Sequence, residues 1–285
     1  MINKSGGSLD APGSMQALAL ASHPVPTVAV TTMTVALAAG AGNHAGTCLL
    51  VALAVFAGQL SIGWSNDAVD ARRDAAVGRA DKPVALGTVT PRTVATAAAL
   101  ALVVTIPASL GLGWRAGCAQ LIGVTCGWAY NLGLKSTVWS WLPFAIAFAA
   151  LPAVATYALP DPVAPPWWAL AAGALIGVSA HLGNVLPDLA DDDATGVRGL
   201  PHRLGATVTA ASGLAAAFGA GALVVIAPDG RPPWWAWLGL AAAALIAVVA
   251  FGVVRRRPSS EAAFYATMAV AAIGVVLLAA SPSFP

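Results

Sequence analysis

The sequence predicts an all-α polytopic membrane protein with nine transmembrane helices, and three observations lead there. Hydrophobic residues make up 58% of the chain and charged residues only 9%, with a mean hydropathy of +0.78. A soluble chain carries about a quarter charged residues. The apolar residues gather into runs of roughly 20, the length that crosses about 30 Å of hydrocarbon as a helix. The breaks between runs are rich in Pro and Gly, as in Pro160-Asp161-Pro162-Val163-Ala164-Pro165-Pro166 and Pro228-Asp229-Gly230-Arg231-Pro232-Pro233, which suits tight turns between helices.

Taken in order, the runs span about 25–43, 46–66, 93–114, 116–134, 138–158, 167–187, 206–227, 234–254 and 262–280. The loops leave no room for a separate soluble domain, so residues 23–285 read as one transmembrane domain behind a flexible leader over 1–22. That leader lacks the basic start, short apolar core and cleavage site of a signal peptide. Cys48, Cys118 and Cys126 lie inside apolar runs without C-x-x-C spacing, which points to neither disulfides nor a zinc site. A net charge of +2 gives no reason to expect nucleic acid as a partner; the lipid bilayer is the partner that the composition demands.

The basic residues orient the chain. With the amino terminus in the cytoplasm, Lys4, Arg72, Arg73, Arg79, Lys82, Arg92, Lys135, Arg198, Arg203, Arg255, Arg256 and Arg257 fall inside, and only Arg115 and Arg231 outside. Twelve of 14 on one side is the positive-inside bias, and moving one span would scatter it. The expected location is therefore the cell (inner) membrane, multi-pass. Trp114, Trp167, Trp168, Trp234, Trp235 and Trp237 mark the outer edge and Trp64, Trp139 and Trp141 the inner one, as interfacial belts do.

The acids are distributed differently. Asp67, Asp70, Asp74 and Asp81 follow the second run, and Asp188, Asp191, Asp192 and Asp193 follow the sixth. Eight of 12 thus crowd into two cytoplasmic stretches, which ordinary solvated loops would not require. On a helix Asp67, Asp70 and Asp74 project within about 60° of one another, forming one stripe. Asn184, Asp188 and Asp192 repeat the idea at i, i+4 and i+8, with Pro187 placed to kink or break the helix. Clustered carboxylates repel unless a counter-charge holds them. Magnesium does so with one or two carboxylates, several waters and the oxygens of a substrate phosphate. Two facing stripes would hold a diphosphate between metal ions.

These residues resemble a known family. Asn66-Asp67-x-x-Asp70-x-x-x-Asp74 is similar to the first signature of the UbiA superfamily of intramembrane prenyltransferases, N-D-x-x-D-x-x-x-D. Asp81-Lys82-Pro83-Val84-Ala85-Leu86-Gly87 resembles its R-P-[ILV]-x-S-G segment, with Lys82 and Leu86 departing from the pattern. Tyr130 and Lys135 fit its Y-x-x-x-x-K segment. Asp188-x-x-x-Asp192, then Gly196 and Gly199-Leu200-Pro201-His202-Arg203-Leu204-Gly205, fit the second signature, with Gly199 where Thr is usual.

The resemblance covers roughly residues 25 to 280 and implies nine helices around a central cavity, capped by the two Asp-rich loops on the cytoplasmic side. It also implies magnesium-dependent transfer of a prenyl group from an allylic polyprenyl diphosphate to a small lipophilic acceptor, aromatic or quinone-like. Asp67, Asp70 and Asp74 would hold one of two magnesium ions, and Asp188 with Asp192 the other. Asn66 and Asn184 would add oxygens or orient carboxylates. Lys135, Arg72 and Arg73 are candidates for phosphate contact, the arginines more weakly because they project off the acidic face. Lys82, Tyr130 and Arg198 complete the expected substrate-binding set. The same site would serve an intramembrane terpene cyclase, or a non-catalytic carrier of lipid diphosphates. His181 and His202 read first as hydrogen-bonded structural residues, and His23 and His44 carry less signal still.

Overall fold

The structure is a computed structural model that describes residues 13–79, 82–257, 260–281 and 283–284. In chain order its helices are α1 Ser14–Leu20, α2 Pro24–Gly40, α3 Ala45–Ala76, α4 Pro91–Leu110, α5 Trp114–Asn131, α6 Leu142–Tyr157, α7 Trp167–Val185, α8 Leu189–Ala194, α9 Leu200–Leu204, α10 Ala206–Ile226, α11 Trp234–Arg256 and α12 Ala262–Ala279. Single 3-10 turns lie at Leu134–Ser136 and Leu186–Asp188, and no strand occurs among the described residues. Among the described residues, nine helices reach 16 residues or more, and they fall on the nine expected runs.

Six of them are long and apolar enough on their own to cross a bilayer: α3, α4, α7, α10, α11 and α12. A seventh span arises if α1 and α2, bent by 58° at their junction, count together. The 16-residue α6 is apolar but short, and α5 carries Arg115, Gln120 and Asn131. The chain is therefore an all-helical, multi-pass membrane protein.

Local chemistry sets the helix ends. Proline starts α4, where its missing N–H costs nothing, and Thr90 accepts the Thr93 N–H at 3.1 Å as its cap. His44 caps α3 by accepting from the Thr47 N–H at 3.2 Å. Beyond α3, Gly78 takes φ +69°, a left-handed conformation that favours glycine, and turns the chain back toward Lys82. Pro187 ends α7 as the sequence suggests, leaving a 3-10 turn before α8.

The helices close into a ring. Neighbours pack in the order α2, α3, α5, α6, α7, α10 and α12, and α12 returns to α2, while α4 and α11 brace the outside. Buried side chains are mainly Ala and Val, which brings the helix axes close. Gly173 and Gly177 of α7 show how close: a Cβ on either would run into the backbone carbonyl of Phe148 or Phe144 on α6.

Two expectations change. Of the leader, residues 1–12 lie outside the described residues, but 13–22 are not loose. Helix α1 buries Ala17, and the Trp64 indole N–H donates to the Leu18 carbonyl at 2.8 Å. The second run was expected to end near residue 66, whereas α3 continues to Ala76. Its 32 residues extend roughly 48 Å, well beyond the hydrocarbon thickness. In the continuation Asp67, Asp70 and Asp74 all face inward, and Asp67 and Asp70 meet cations there.

Candidate active site

Two connected cavities occupy the ring. The outer one, of about 340 Å³, takes Asp70 and Asp74 from α3 on one side and Asp188 and Asp192 from the α7–α8 break on the other. The two acidic stretches, more than 100 residues apart in sequence, thus share one chamber. Below it lies a mainly apolar chamber of about 240 Å³. His23, Pro26, Asn66, Tyr130, Asn184 and Phe264 line both and form the throat between them.

Cations meet Asp67 and Asp70 of the first stripe. Asp70 accepts from Lys135 Nζ through both oxygens and from Arg73 Nη2 at 2.6 Å. Lys135 is brought there by the 3-10 turn that follows α5, and it is buried. Burial pulls its pKa below the ordinary lysine range, opposed by the charge of Asp70. Asp67 is 1% exposed and sits behind the chamber wall. Its Oδ1 accepts from Lys82 Nζ at 2.7 Å and contacts His23 Nε2 at 2.9 Å, while its Oδ2 is buried with no hydrogen-bond partner. Asp81, the fourth acid of that stretch, lies outside the described residues.

The second stretch is tied to the first. Arg79, just past α3, donates to Asp188 Oδ1 at 3.1 Å. Asp192 is half-buried, and burial raises its pKa to about 6, with Arg73 opposing and Asp188 adding to the rise. His202 Nε2 stands 3.6 Å from Asp192 Oδ2, past hydrogen-bond length. Burial lowers the His202 pKa, against the charge of Asp193.

Of the other expected residues, Asn66, Tyr130 and Asn184 stand in the throat, and Lys82 in the outer chamber. Arg73 corrects an expectation, because its long side chain folds back onto Asp70 and lines the chamber instead of projecting away. Arg72 is exposed and lines neither cavity. Arg198 also stands outside: it is 69% exposed and donates to Asp193 at 2.8 Å, because it sits on the solvent side of the turn after α8.

Two groups went unread. His23, the N-cap of α2, takes φ +52°, strained for a residue with a side chain, and thereby reaches Asp67. Its position in the helix pattern gives no signal of this. Ser140 joins three segments: its Oγ accepts the Leu200 N–H at 3.1 Å and meets His181 Nε2 at 3.0 Å. His181 is 1% exposed, with Nδ1 unpartnered and the Tyr130 and Phe144 rings 5.7 and 5.2 Å away.

Among the described residues no three acidic, His or Cys side chains converge on one point. The donor set nonetheless fits a hard cation: carboxylate and amide oxygens face one chamber, and Asp67 keeps an orphaned buried oxygen. Such an ion needs only one or two of the carboxylates.

The fold and this chamber define an intramembrane helical enzyme with an acid-lined head site above an apolar pocket. The family model for the UbiA prenyltransferase family matches residues 25–279, and the chain belongs to that family of prenyl-transfer enzymes. No curated protein matches the chain. Among solved structures, a UbiA homologue from Aeropyrum pernix K1 in its apo form is similar at 18% identity and TM-score 0.73, covering 89% of this chain and 96% of that one. A UbiA homologue from Archaeoglobus fulgidus, bound to GPP and Mg2+, is 12% identical with TM-score 0.71, covering 92% and 97%. A digeranylgeranylglyceryl phosphate synthase is 16% identical with TM-score 0.63, covering 93% and 96%. At these identities the likeness concerns the fold.

Proposed function

We propose that the chain takes an allylic polyprenyl diphosphate, head in the acid-lined chamber and tail in the apolar one, and transfers the prenyl group to a small aromatic or quinone-like acceptor. The observation that carries this is one chamber lined by carboxylates of both signatures and opening through a throat into an apolar pocket. The allylic C–O bond breaks with its electron pair going to the diphosphate, and the acceptor then bonds to the freed carbon and loses a proton.

Magnesium, held by Asp70 and Asp74 on one side and by Asp188 and Asp192 on the other, with Asp67 adjoining, would neutralise charge on the departing diphosphate. Two ions fit two acidic groups. The protein's own cations share that task. Lys135 and Arg73, both on Asp70, line the chamber and would donate to phosphate oxygens of a bound head. Lys82 and Arg79 line the same chamber. Tyr130 and Phe144 close over the throat and screen the developing cation from water. An isoprenoid tail left in water costs about 0.8 kcal/mol per methylene, and the apolar chamber keeps the tail out of water while the head reaches the acids.

In this reading all nine long helices cross the membrane as one domain over 23–285, with the acid-lined chamber at the cytoplasmic face. The twelve-to-two division of Lys and Arg supports that orientation. Purified protein given allylic diphosphates of several lengths, magnesium and phenolic or quinol acceptors should release diphosphate and form a prenylated product. Diphosphate release without any acceptor, yielding a cyclic hydrocarbon or alcohol, would instead make the chain a cyclase. Tight binding without release would make it a carrier.

A further inference from the structure

We propose that the inner chamber selects an uncharged acceptor that hydrogen-bonds to Gln59 and Gln120, and rejects acceptors bearing a carboxylate or phosphate. This rests on the prenyl-transfer reading above and names the substrate class that reading leaves open.

The first observation is the absence of charge. Among the described residues lining the inner chamber there is no Lys, Arg, Asp or Glu, and its two ionisable side chains, His23 and Tyr130, stand at the throat. The nearby cations are already committed: Lys82 to Asp67, Lys135 and Arg73 to Asp70, Arg79 to Asp188. All four lie on the diphosphate side of the throat. A carboxylate in the inner chamber would lose its water with no cation to replace it.

The second observation is unspent hydrogen-bonding capacity on one wall. The other deep polar side chains satisfy themselves: Thr27 donates to the Ser22 carbonyl, Thr267 to the Ala263 carbonyl, and Asn131 to the Ile62 carbonyl and to Ser65. Gln59 on α3 has no hydrogen-bond partner among the described residues. Gln120 on α5 is 5% exposed and only donates at 3.4 Å to the Ala54 carbonyl, which leaves its own carbonyl oxygen unpartnered there. Both glutamines line the inner chamber.

Gln59 stands two turns below Asn66 on the same face of α3, roughly 10 Å deeper than the throat. A prenyl tail has no polar atom to offer these amides. The facing wall, with Phe148, Leu151, Ile176 and Met268, suits the tail, so tail and acceptor divide the chamber by chemistry.

The test uses the full chain in detergent or nanodiscs, with magnesium and a thiolodiphosphate analogue of the donor that does not ionise. Binding of matched acceptor pairs is measured by calorimetry: a phenolic carboxylate against its methyl ester, and against its primary amide. The uncharged members should bind at least about tenfold tighter. Equal or tighter binding of the carboxylate would overturn the assignment. Gln59→Leu and Gln120→Leu should each weaken binding of the uncharged acceptor by up to about tenfold, with affinity for the donor analogue unchanged. If the acceptor constants stay put, or if donor affinity falls equally, the glutamines do not hold the acceptor and the proposal fails. Absence of magnesium-dependent donor binding in the unaltered protein is a separate result: it removes the prenyl-transfer reading itself, and this inference with it.

Discussion

Gly199 and Lys135 meet backbone to backbone: a Cβ built on Gly199 would stand 2.5 Å from the Lys135 carbonyl oxygen and 2.9 Å from Ser140 Oγ. The φ of Gly199 is −72°, a conformation open to any residue, so the glycine is needed for space. Through this contact the loop after the second acidic stretch rests on the turn that carries Lys135. Gly199→Thr, which restores the residue usual at this place in the signature, should therefore push the two segments apart and destabilise the protein by about 1–3 kcal/mol. Thermal unfolding in detergent checks the stability. Diphosphate release should fall as well, since Asp192 and Lys135 lose their register.

Ser140 supports the same junction from the side chain. Ser140→Ala leaves the Leu200 N–H without its acceptor and His181 without its Nε2 partner, at a cost of about 1–3 kcal/mol. A lowered melting temperature with unchanged magnesium affinity is the expected outcome. An unchanged melting temperature would mean that another group takes up the Leu200 N–H.

Lys135 competes with metal for Asp70. Lys135→Met removes the competitor and the phosphate contact together. Magnesium should therefore bind more tightly without diphosphate, and the diphosphate itself about tenfold or more weakly. Calorimetric titration of each ligand separates the two effects. Parallel weakening of both would argue that Lys135 chiefly maintains the fold of the turn.

The Asp192 carboxyl, raised by burial to about 6, sets a pH dependence. Because its folded pKa lies above the unfolded one, the metal-free fold favours the neutral form. The stability associated with it is complete below the ordinary carboxylate range and is lost as pH rises through about 6. The metal-free protein should thus melt at a higher temperature at pH 5 than at pH 7.5. Magnesium binding needs the ionised form, so its affinity should fall as pH drops below about 6. Asp192→Asn should flatten the Asp192 share of both trends.

Much of the architecture was legible in the sequence because membrane helices announce themselves by length and polarity. The fourth run, expected at 116–134, is Trp114–Asn131, and the eighth, expected at 234–254, is Trp234–Arg256. The reach of α3 was misjudged because its last three turns are polar on the sequence yet buried on one side. Acid spacing pointed to Asp67, Asp70, Asp74, Asp188 and Asp192, and all of these but Asp67 line one chamber. What spacing could not show is which partner each acid takes. The Lys135–Asp70 and Arg79–Asp188 pairs span 65 and 109 residues, and no periodic pattern connects them. His23 escaped notice for a related reason: its reach depends on one left-handed backbone angle. Arg198, expected in the substrate-binding set, instead pairs with Asp193 on the exposed side of the turn, which spacing alone does not reveal.

Helix α3 runs without a break from Gln59 in the inner chamber to Asp74 in the outer one. Fifteen residues of unbroken helix fix that separation at roughly 22 Å. The carboxylate that faces the departing head and the amide deep in the apolar chamber are thus mounted on a single stiff strut. A bilayer that thins or thickens around the protein can tilt the strut, but it leaves the interval between the two stations as it was.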